Sequence, residues 1–119
     1  MKDNTKLGKK GESLAEAYLV SEKYRIVAKN WRYSRSELDL VAMLEGILIF
    51  VEVKTKSSDG VRPPEANVNR AKQRRIIDAA NRYMEEVGYD GEIRFDVISI
   101  VMHGNAGHTI KHFRDAFFP

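Results

Sequence analysis

Residues 36–56 read SELDLVAMLEGILIFVEVKTK, in which two apolar runs flank the pair Glu45 and Gly46. A two-residue turn between alternating apolar runs is a strong β-hairpin signal. If these two residues form the loop, pairing outward from it places Asp39 opposite Glu52. The sequence therefore predicts a β-hairpin whose open end carries two opposed carboxylates.

The two predicted carboxylates are arranged as a metal site. Opposed Cβ atoms in an antiparallel pair lie about 4.5–5.5 Å apart, so two negative charges there need a proton or a cation between them. Mg²⁺, or Mn²⁺ in its place, takes one or two carboxylates together with water and phosphate. We predict Asp39, Glu52 and the backbone carbonyl of Val53 as its ligands, with Lys54 supplying a fixed positive charge. The alternative is that Lys54 only pairs with Glu37 across the strands, which makes a surface salt bridge and no site.

Length and composition indicate one domain over residues 1–119. The chain is 43% hydrophobic and 31% charged, as globular proteins are, and it is long enough to bury a core. It has no cysteine, which excludes disulfides and thiolate zinc sites. No apolar run reaches the roughly 18–20 residues that span a bilayer, and the basic N-terminus lacks the apolar stretch of a secretory signal. We expect a cytoplasmic protein with no membrane partner.

The formal net charge is +3, and basic residues recur beside the segments that carry the acidic pair. Carboxylates surrounded by positive charge suit a polyanionic substrate bridged by a metal ion, which points to nucleic acid. A solvated polar surface is the alternative explanation of the same charges. The basic residues concerned are Lys6, Lys9, Lys10, Arg32, Arg35, Lys54, Lys56, Arg62, Arg70, Lys72, Arg74 and Arg75.

The periodicity of apolar residues predicts an α/β fold with a mixed central sheet flanked by helices. The strand after the hairpin turn is apolar at nearly every position, as a central strand buried on both faces would be. A loop is expected over 57–67 because it contains Gly60, Pro63 and Pro64. The predicted helices are 7–22 and 68–87, and the predicted strands are 24–33, 37–44, 47–55, 92–102 and 109–113.

Two further polar residues are candidates for the same site. Glu12 lies on the apolar stripe of the first helix, where it either faces the sheet or stabilises the helix N-terminus through the dipole. Gln73 extends the apolar stripe of the second helix, so it either reaches the pocket to hold a water or a metal ligand, or is a boundary residue. Gly8 and Gly11 allow the first helix to approach another group closely.

The remaining candidates are interpreted as structural. His108 and His112 have the spacing of a helical metal pair, but their segment is predicted to be extended and carries no acidic ligand. His103 is also predicted to be structural. Asp96 is predicted to be buried in a strand, where it needs a partner such as Arg94 or a backbone donor.

Short motifs that include Gly11-Glu12, residues 37–41 and residues 50–55 resemble the bacterial YraN-like family of uncharacterised proteins, over nearly the whole chain. That family is similar to the PD-(D/E)XK nuclease superfamily, and archaeal Holliday-junction resolvases offer the closest pattern of Gly8 to Glu12, then Asp39, then Glu52-x-Lys54. The matching pieces are Gly11-Glu12, Asn30-Trp31-Arg32, residues 37–41, residues 50–55, Lys72, residues 94–97 and Ala116-Phe117.

The resemblance implies a restriction endonuclease-like αβββαβ core. It implies that Asp39 and Glu52 are metal ligands, that Lys54 is the catalytic lysine and that Glu12 is an accessory acidic residue. The implied function is a Mg²⁺- or Mn²⁺-dependent nuclease acting on DNA, on branched or repair intermediates, and a homodimer would favour two coordinated cuts. The alternative is a non-catalytic nucleic-acid-binding module that keeps the nuclease fold.

Overall fold

The computed structural model describes residues 5–58 and 65–119. The order of its first six elements is the predicted αβββαβ, and one further strand follows. The middle of the predicted loop, with Gly60, Pro63 and Pro64, lies outside the described residues. The elements are α1 Thr5–Ser21, β1 Arg25–Tyr33, β2 Ser36–Leu44, β3 Ile47–Ser57, α2 Arg70–Val87, β4 Ile93–Met102, a 3₁₀ turn Gly104–Ala106 and β5 His108–Phe117.

The strands form one mixed sheet in the order β1-β2-β3-β4-β5. β3 pairs antiparallel with β2 and parallel with β4, and β5 returns antiparallel beside β4. A parallel pair needs a crossover connection, which α2 provides between β3 and β4. The predicted α/β class and mixed sheet are confirmed. β3 is the central strand, and it is buried from Leu48 to Val53.

The two helices cover opposite faces of the sheet, and alternate residues of β3 pack against them. Phe50 faces α2 in a cluster with Ile76 and Tyr83, whereas Ile49 belongs to the cluster around Leu19 of α1. Burying an apolar side chain of this size contributes about 1.5–3 kcal/mol, so these two clusters hold the three layers together. No helix in residues 5–58 and 65–119 is long and apolar enough to cross a membrane.

α2 has a defined start and end. Asn69 is its N-cap, and its side-chain oxygen accepts a hydrogen bond from the backbone N–H of Lys72 at 2.8 Å. Gly88 ends the helix with φ 71°, a left-handed conformation that glycine adopts at little cost. The cap fixes the first turn of α2, and therefore the point from which the Lys72 side chain extends.

α1 lies very close to the sheet at Gly11. A Cβ atom at this position would lie only 1.8 Å from Oγ1 of Thr55 in β3, so a side chain larger than hydrogen cannot fit without movement. The close approach predicted for the glycines of α1 is therefore found at Gly11, and the group it approaches is a β3 side chain. Its consequence is that the beginning of α1 lies beside the end of β3.

Candidate active site

The β2–β3 hairpin has the predicted register near its turn. Paired residues run from Leu44 with Ile47 to Leu40 with Val51. Glu45 and Gly46 have φ values of 51° and 80°, and two consecutive positive φ values are the mark of a type I′ hairpin turn. The turn therefore sets which residues reach the open end of the hairpin.

Beyond the last backbone pair, β2 bonds to β3 through the side chain of Asp39 and not through its backbone. Its Oδ2 accepts a hydrogen bond from the backbone N–H of Val53 at 2.8 Å. Strict alternation along β2 would place Leu38 and Val41 on opposite faces of the sheet, but both pack in the cluster under α2. The alternation is therefore interrupted near Asp39. Asp39 is 4% exposed, and its carboxylate is held against the backbone of β3 at the residue that follows Glu52.

Glu52 contacts a lysine from α2. The residue is 8% exposed, and its Oε2 lies 3.3 Å from Nζ of Lys72. Alternation along β3 puts Glu52 on the face that α2 covers, because Leu48 and Phe50 pack there. A buried carboxylate needs a nearby positive charge or hydrogen-bond donor, and Lys72 provides the charge.

The alternative interpretation, in which Lys54 pairs with Glu37, does not agree with the contacts of the two residues. Lys54 donates a hydrogen bond to the backbone oxygen of Asn67, and its Nζ lies 3.6 Å from Glu65 Oε1. The partners of Lys54 therefore come from residues 65–67, shortly before α2 begins. Glu37 instead pairs with Arg32 on β1, at 3.9 Å.

Glu12 is connected to the hairpin through Asn30. With its amide nitrogen turned toward the carboxylates, Asn30 donates to Glu12 Oε1 at 3.0 Å and to Glu37 Oε2 at 3.1 Å. Asn30 has a φ of 50°. α1 has no acidic residue in its first turn, so a helix-dipole role for Glu12 is excluded. Glu12 thus stands one hydrogen-bonded residue away from Glu37.

At the start of α2, Lys72 contacts a hairpin carboxylate, whereas the described contact of its neighbour Gln73 is with the chain before the helix. Nε2 of Gln73 donates to the backbone oxygen of Val68 at 2.7 Å. This contact favours the alternative interpretation of Gln73 as a boundary residue. A signal for Lys72 was present in the sequence, since it precedes the buried residues Ile76 and Tyr83 by four and eleven positions.

These side chains border an open cleft of about 550 Å³ at the end of β3. Five of its lining side chains are basic and three are acidic, and the first turns of α1 and α2 both contribute. The mixture is the one predicted, with two buried carboxylates surrounded by positive charge. The cleft is lined by Leu7, Gly8, Arg35, Ser36, Glu37, Asp39, Glu52, Val53, Lys54, Thr55, Lys56, Ser57, Lys72, Arg75 and Ile76.

The donor set of the cleft fits a hard divalent cation held by few protein ligands. In the described part of the chain, no three His, Cys, Asp or Glu side chains converge as metal ligands. Two carboxylates, Asp39 and Glu52, border the same cleft, and a site of this kind completes its coordination with water and substrate oxygens. The N–H of Val53 points toward Asp39. In a β-strand the N–H and carbonyl of one residue point to the same side, so the predicted third ligand, the Val53 carbonyl, also points toward β2.

A second buried polar cluster lies outside the cleft, around Asp96, which is buried in β4 and has Arg94 and a backbone donor as partners, as predicted. Asp96 accepts two hydrogen bonds from Arg94, at 2.8 Å each, and one from the backbone N–H of Asp115. Nε2 of His112 lies 2.7 Å from the same carboxylate, and its Nδ1 lies 3.0 Å from the Tyr18 hydroxyl. Burial raises the pKa of Asp96, but the hydrogen bonds from His112 and Arg94 outweigh burial and lower the pKa below its usual 3.8.

Comparison with known proteins gives full-length relatives. The sequence matches the model of the uncharacterised protein family UPF0102 over residues 11–100, which include every predicted site residue. A UPF0102 protein from Christiangramia forsetii is 41% identical over 118 residues, which cover 99% of this chain and 98% of the relative. One from Bacteroides thetaiotaomicron is 40% identical over 119 residues, covering 100% and 98%. One from Parabacteroides distasonis is 41% identical over 112 residues, covering 94% and 92%.

Proposed function

This chain belongs to the uncharacterised protein family UPF0102, as its YraN-like motifs predicted, and we propose that it is a divalent-metal-dependent nuclease that hydrolyses phosphodiester bonds of DNA. The observation that carries the proposal is the pair of buried carboxylates, Asp39 and Glu52, on adjacent strands beside an open basic cleft. Carboxylates are costly to bury, and a site that binds a cation is a physical reason to keep two of them together.

Mg²⁺ or Mn²⁺ bound at this position would polarise a phosphoryl oxygen and lower the pKa of a bound water. Asp39 and Glu52 would hold the ion, together with the carbonyl of Val53. The hydrogen bond from the Val53 N–H fixes one oxygen of Asp39, so that carboxylate is oriented before any ligand arrives.

Lys54 would orient the attacking water or stabilise negative charge on the phosphorus as the bond breaks. Its Nζ now contacts Asn67 and Glu65, and the side chain is 31% exposed, so it has room to rotate toward the cleft. Glu12 would act indirectly, because its link to the cleft passes through Asn30 and Glu37.

The rest of the cleft suits a polyanion. Arg35, Lys56 and Arg75 add positive charge around the carboxylates. The first turns of two helices also lie there, and the N-terminus of a helix favours negatively charged groups. Together they would neutralise the phosphates that flank the one to be cleaved.

A cleavage assay tests the proposal directly. Single-stranded, duplex, flap and four-way-junction DNA would be incubated with the protein in Mg²⁺ and, separately, in Mn²⁺. We expect cleavage of at least one substrate by the parent and none by Glu52→Gln, because the variant keeps the size of the side chain and removes its charge. Glu85→Gln makes the same change at an exposed position of α2 and should cleave as the parent does.

Two outcomes would contradict a nuclease. Equal activity of the parent and Glu52→Gln would mean that a contaminant cleaves the DNA. Absence of cleavage by the parent with either metal, on all four substrates, would remove the catalytic claim. Paired cuts on the four-way junction would additionally support action as a homodimer.

A non-catalytic nucleic-acid-binding module is the second candidate. It is favoured by the contacts of the two lysines, because Lys54 and Lys72 already contact the carboxylates of Glu65 and Glu52. A module of this kind should bind DNA as well, or better, after Asp39→Asn and Glu52→Gln, since each change removes negative charge from the cleft. Loss of DNA binding in these variants would rule it out.

A further inference from the structure

The contact between Lys72 and Glu52 joins an adaptable side chain to a fixed one. The side chain of Lys72 is 38% exposed and that of Glu52 is 9% exposed. The Asn69 cap holds the backbone of Lys72, but four rotatable bonds separate its ammonium group from that backbone. The lysine can therefore leave the contact, whereas the glutamate is confined by the sheet and α2.

We propose that Lys72 is a positioning residue that competes with the divalent cation for Glu52 and transfers to a substrate phosphate when the cation binds. Metal and nucleic acid then bind cooperatively. This inference rests on the proposed function, because it requires a metal site at Asp39 and Glu52.

Electrostatics makes the competition unavoidable. Nζ of Lys72 lies 3.3 Å from Glu52 Oε2, which is one of the oxygens a metal ion would use. An ammonium group and a divalent cation next to one oxygen repel each other, and the repulsion is weakly screened in a partly buried site. Without substrate, a cation that binds Glu52 must therefore either displace Lys72 or bind with an affinity that the repulsion lowers.

A phosphate in the cleft removes the conflict. The ammonium group can move from Glu52 to a phosphate oxygen in the same cleft and keep a negatively charged partner. Glu52 is then available to the cation, and the cation in turn attracts the phosphate. By thermodynamic linkage, the factor by which DNA raises the affinity for the metal equals the factor by which the metal raises the affinity for DNA.

Lys72 is distinguished from the other cations of the cleft by this contact. Lys54 pairs with Glu65 on the β3–α2 connection and not with the predicted metal ligands. Arg75 borders the same cleft one helical turn after Lys72, and among the described residues it has no ion pair. Arg75 therefore offers a matched control that removes a positive charge from the cleft without touching Glu52.

The test measures Mn²⁺ affinity by calorimetry and by electron paramagnetic resonance, with and without a phosphorothioate DNA duplex that resists cleavage. The variants are Lys72→Met, which keeps a straight side chain without charge, Lys72→Arg and Arg75→Met. Without DNA we expect Lys72→Met to bind Mn²⁺ about tenfold more tightly than the parent. Arg75→Met should stay within about twofold of the parent, and Lys72→Arg should resemble the parent.

With DNA present, the parent should gain Mn²⁺ affinity and Lys72→Met should gain less. Damage to the fold would not make Lys72→Met bind Mn²⁺ more tightly. Tighter binding without DNA therefore distinguishes competition for Glu52 from a merely structural role of Lys72. Thermal unfolding of each variant establishes that it is folded.

Equal or weaker Mn²⁺ binding by Lys72→Met, with the parent binding Mn²⁺, would overturn the inference and leave the proposed metal site standing. Failure of both proteins to bind Mn²⁺, with and without DNA, would overturn the metal site itself and the inference with it.

Discussion

Asp96 has no exposed surface, its charge is paired with the Arg94 guanidinium, and Nε2 of His112 lies within hydrogen-bonding distance of the same carboxylate. Removing one member of a buried charged group leaves the others without a partner, which usually costs 3–5 kcal/mol, so we expect Asp96→Asn to lower the free energy of unfolding at pH 7 by about 3 kcal/mol. Denaturant unfolding of the parent and the variant measures this difference. A loss below about 1 kcal/mol would show that the Asp96 charge contributes little.

The same residue gives a pH dependence of known sign. The pKa of Asp96 is lower in the folded chain than its usual 3.8, so the folded state favours the ionised carboxylate. The resulting stability is present above pH 3.8 and is lost as the pH falls through the lower pKa of the folded protein. The gap in unfolding free energy between the parent and Asp96→Asn should therefore shrink below pH 3.8. A gap that widens in acid would contradict the assignment.

At the scale of elements, the start of α2 positions a site residue. Asn69→Ala removes the side-chain acceptor for the Lys72 N–H, and loss of an N-cap typically costs about 1 kcal/mol. We expect this loss in denaturant unfolding. Asn81→Ala, at an exposed position inside the same helix, is the control and should change stability by a few tenths of a kcal/mol in the opposite direction. Equal effects of the two changes would mean that Asn69 is not acting as a cap.

The order of elements and the hairpin register could be predicted because they follow from local patterns. Apolar periodicity marked the helices and strands, and the Glu45-Gly46 turn fixed the pairing as far as Leu40 with Val51. The apolar pattern is ambiguous at the start of α2, because Lys72 and Gln73 precede the buried Ile76 by four and three positions, and both spacings put a residue beside it. Adjacent helical residues differ by about 100°, so the packing of α2 decides whether Lys72 or Gln73 faces the hairpin.

The contacts of the other site residues depend on irregular backbone. Asn30, which joins Glu12 to Glu37, has positive φ and follows a bulge in β1 between Ile26 and Ala28. The partner of Lys54, Glu65, lies eleven positions further along the chain, outside the segments for which periodicity predicted a helix or a strand. Sequence reasoning could therefore predict that Asp39 and Glu52 lie on adjacent strands of one hairpin, and could not assign the partners of Lys54 and Lys72.

At the scale of the whole molecule, the small net charge of +3 is less informative than its placement around the cleft. Each phosphate that a protein neutralises on duplex DNA changes the slope of log K against log salt by about 0.9. If Arg35 and Arg75 each contact one phosphate, Arg35→Ala and Arg75→Ala should each reduce the slope by about 0.9. Fluorescence anisotropy over a salt series measures it, and unchanged slopes would place the DNA elsewhere on the protein.

The hairpin that carries the two carboxylates also has a kinetic consequence. A chain closed by a two-residue turn can fold locally, on a timescale of about 1–10 μs, while the parallel pairing of β3 with β4 must wait for the crossover through α2. Asp39 can thus meet the backbone of Val53 early in folding, before α2 docks and brings Lys72 to Glu52. During that interval Glu52 of the nascent hairpin is not yet in contact with Lys72. A divalent ion that binds Asp39 and Glu52, as proposed, would therefore change the rate of folding as well as bind the folded protein.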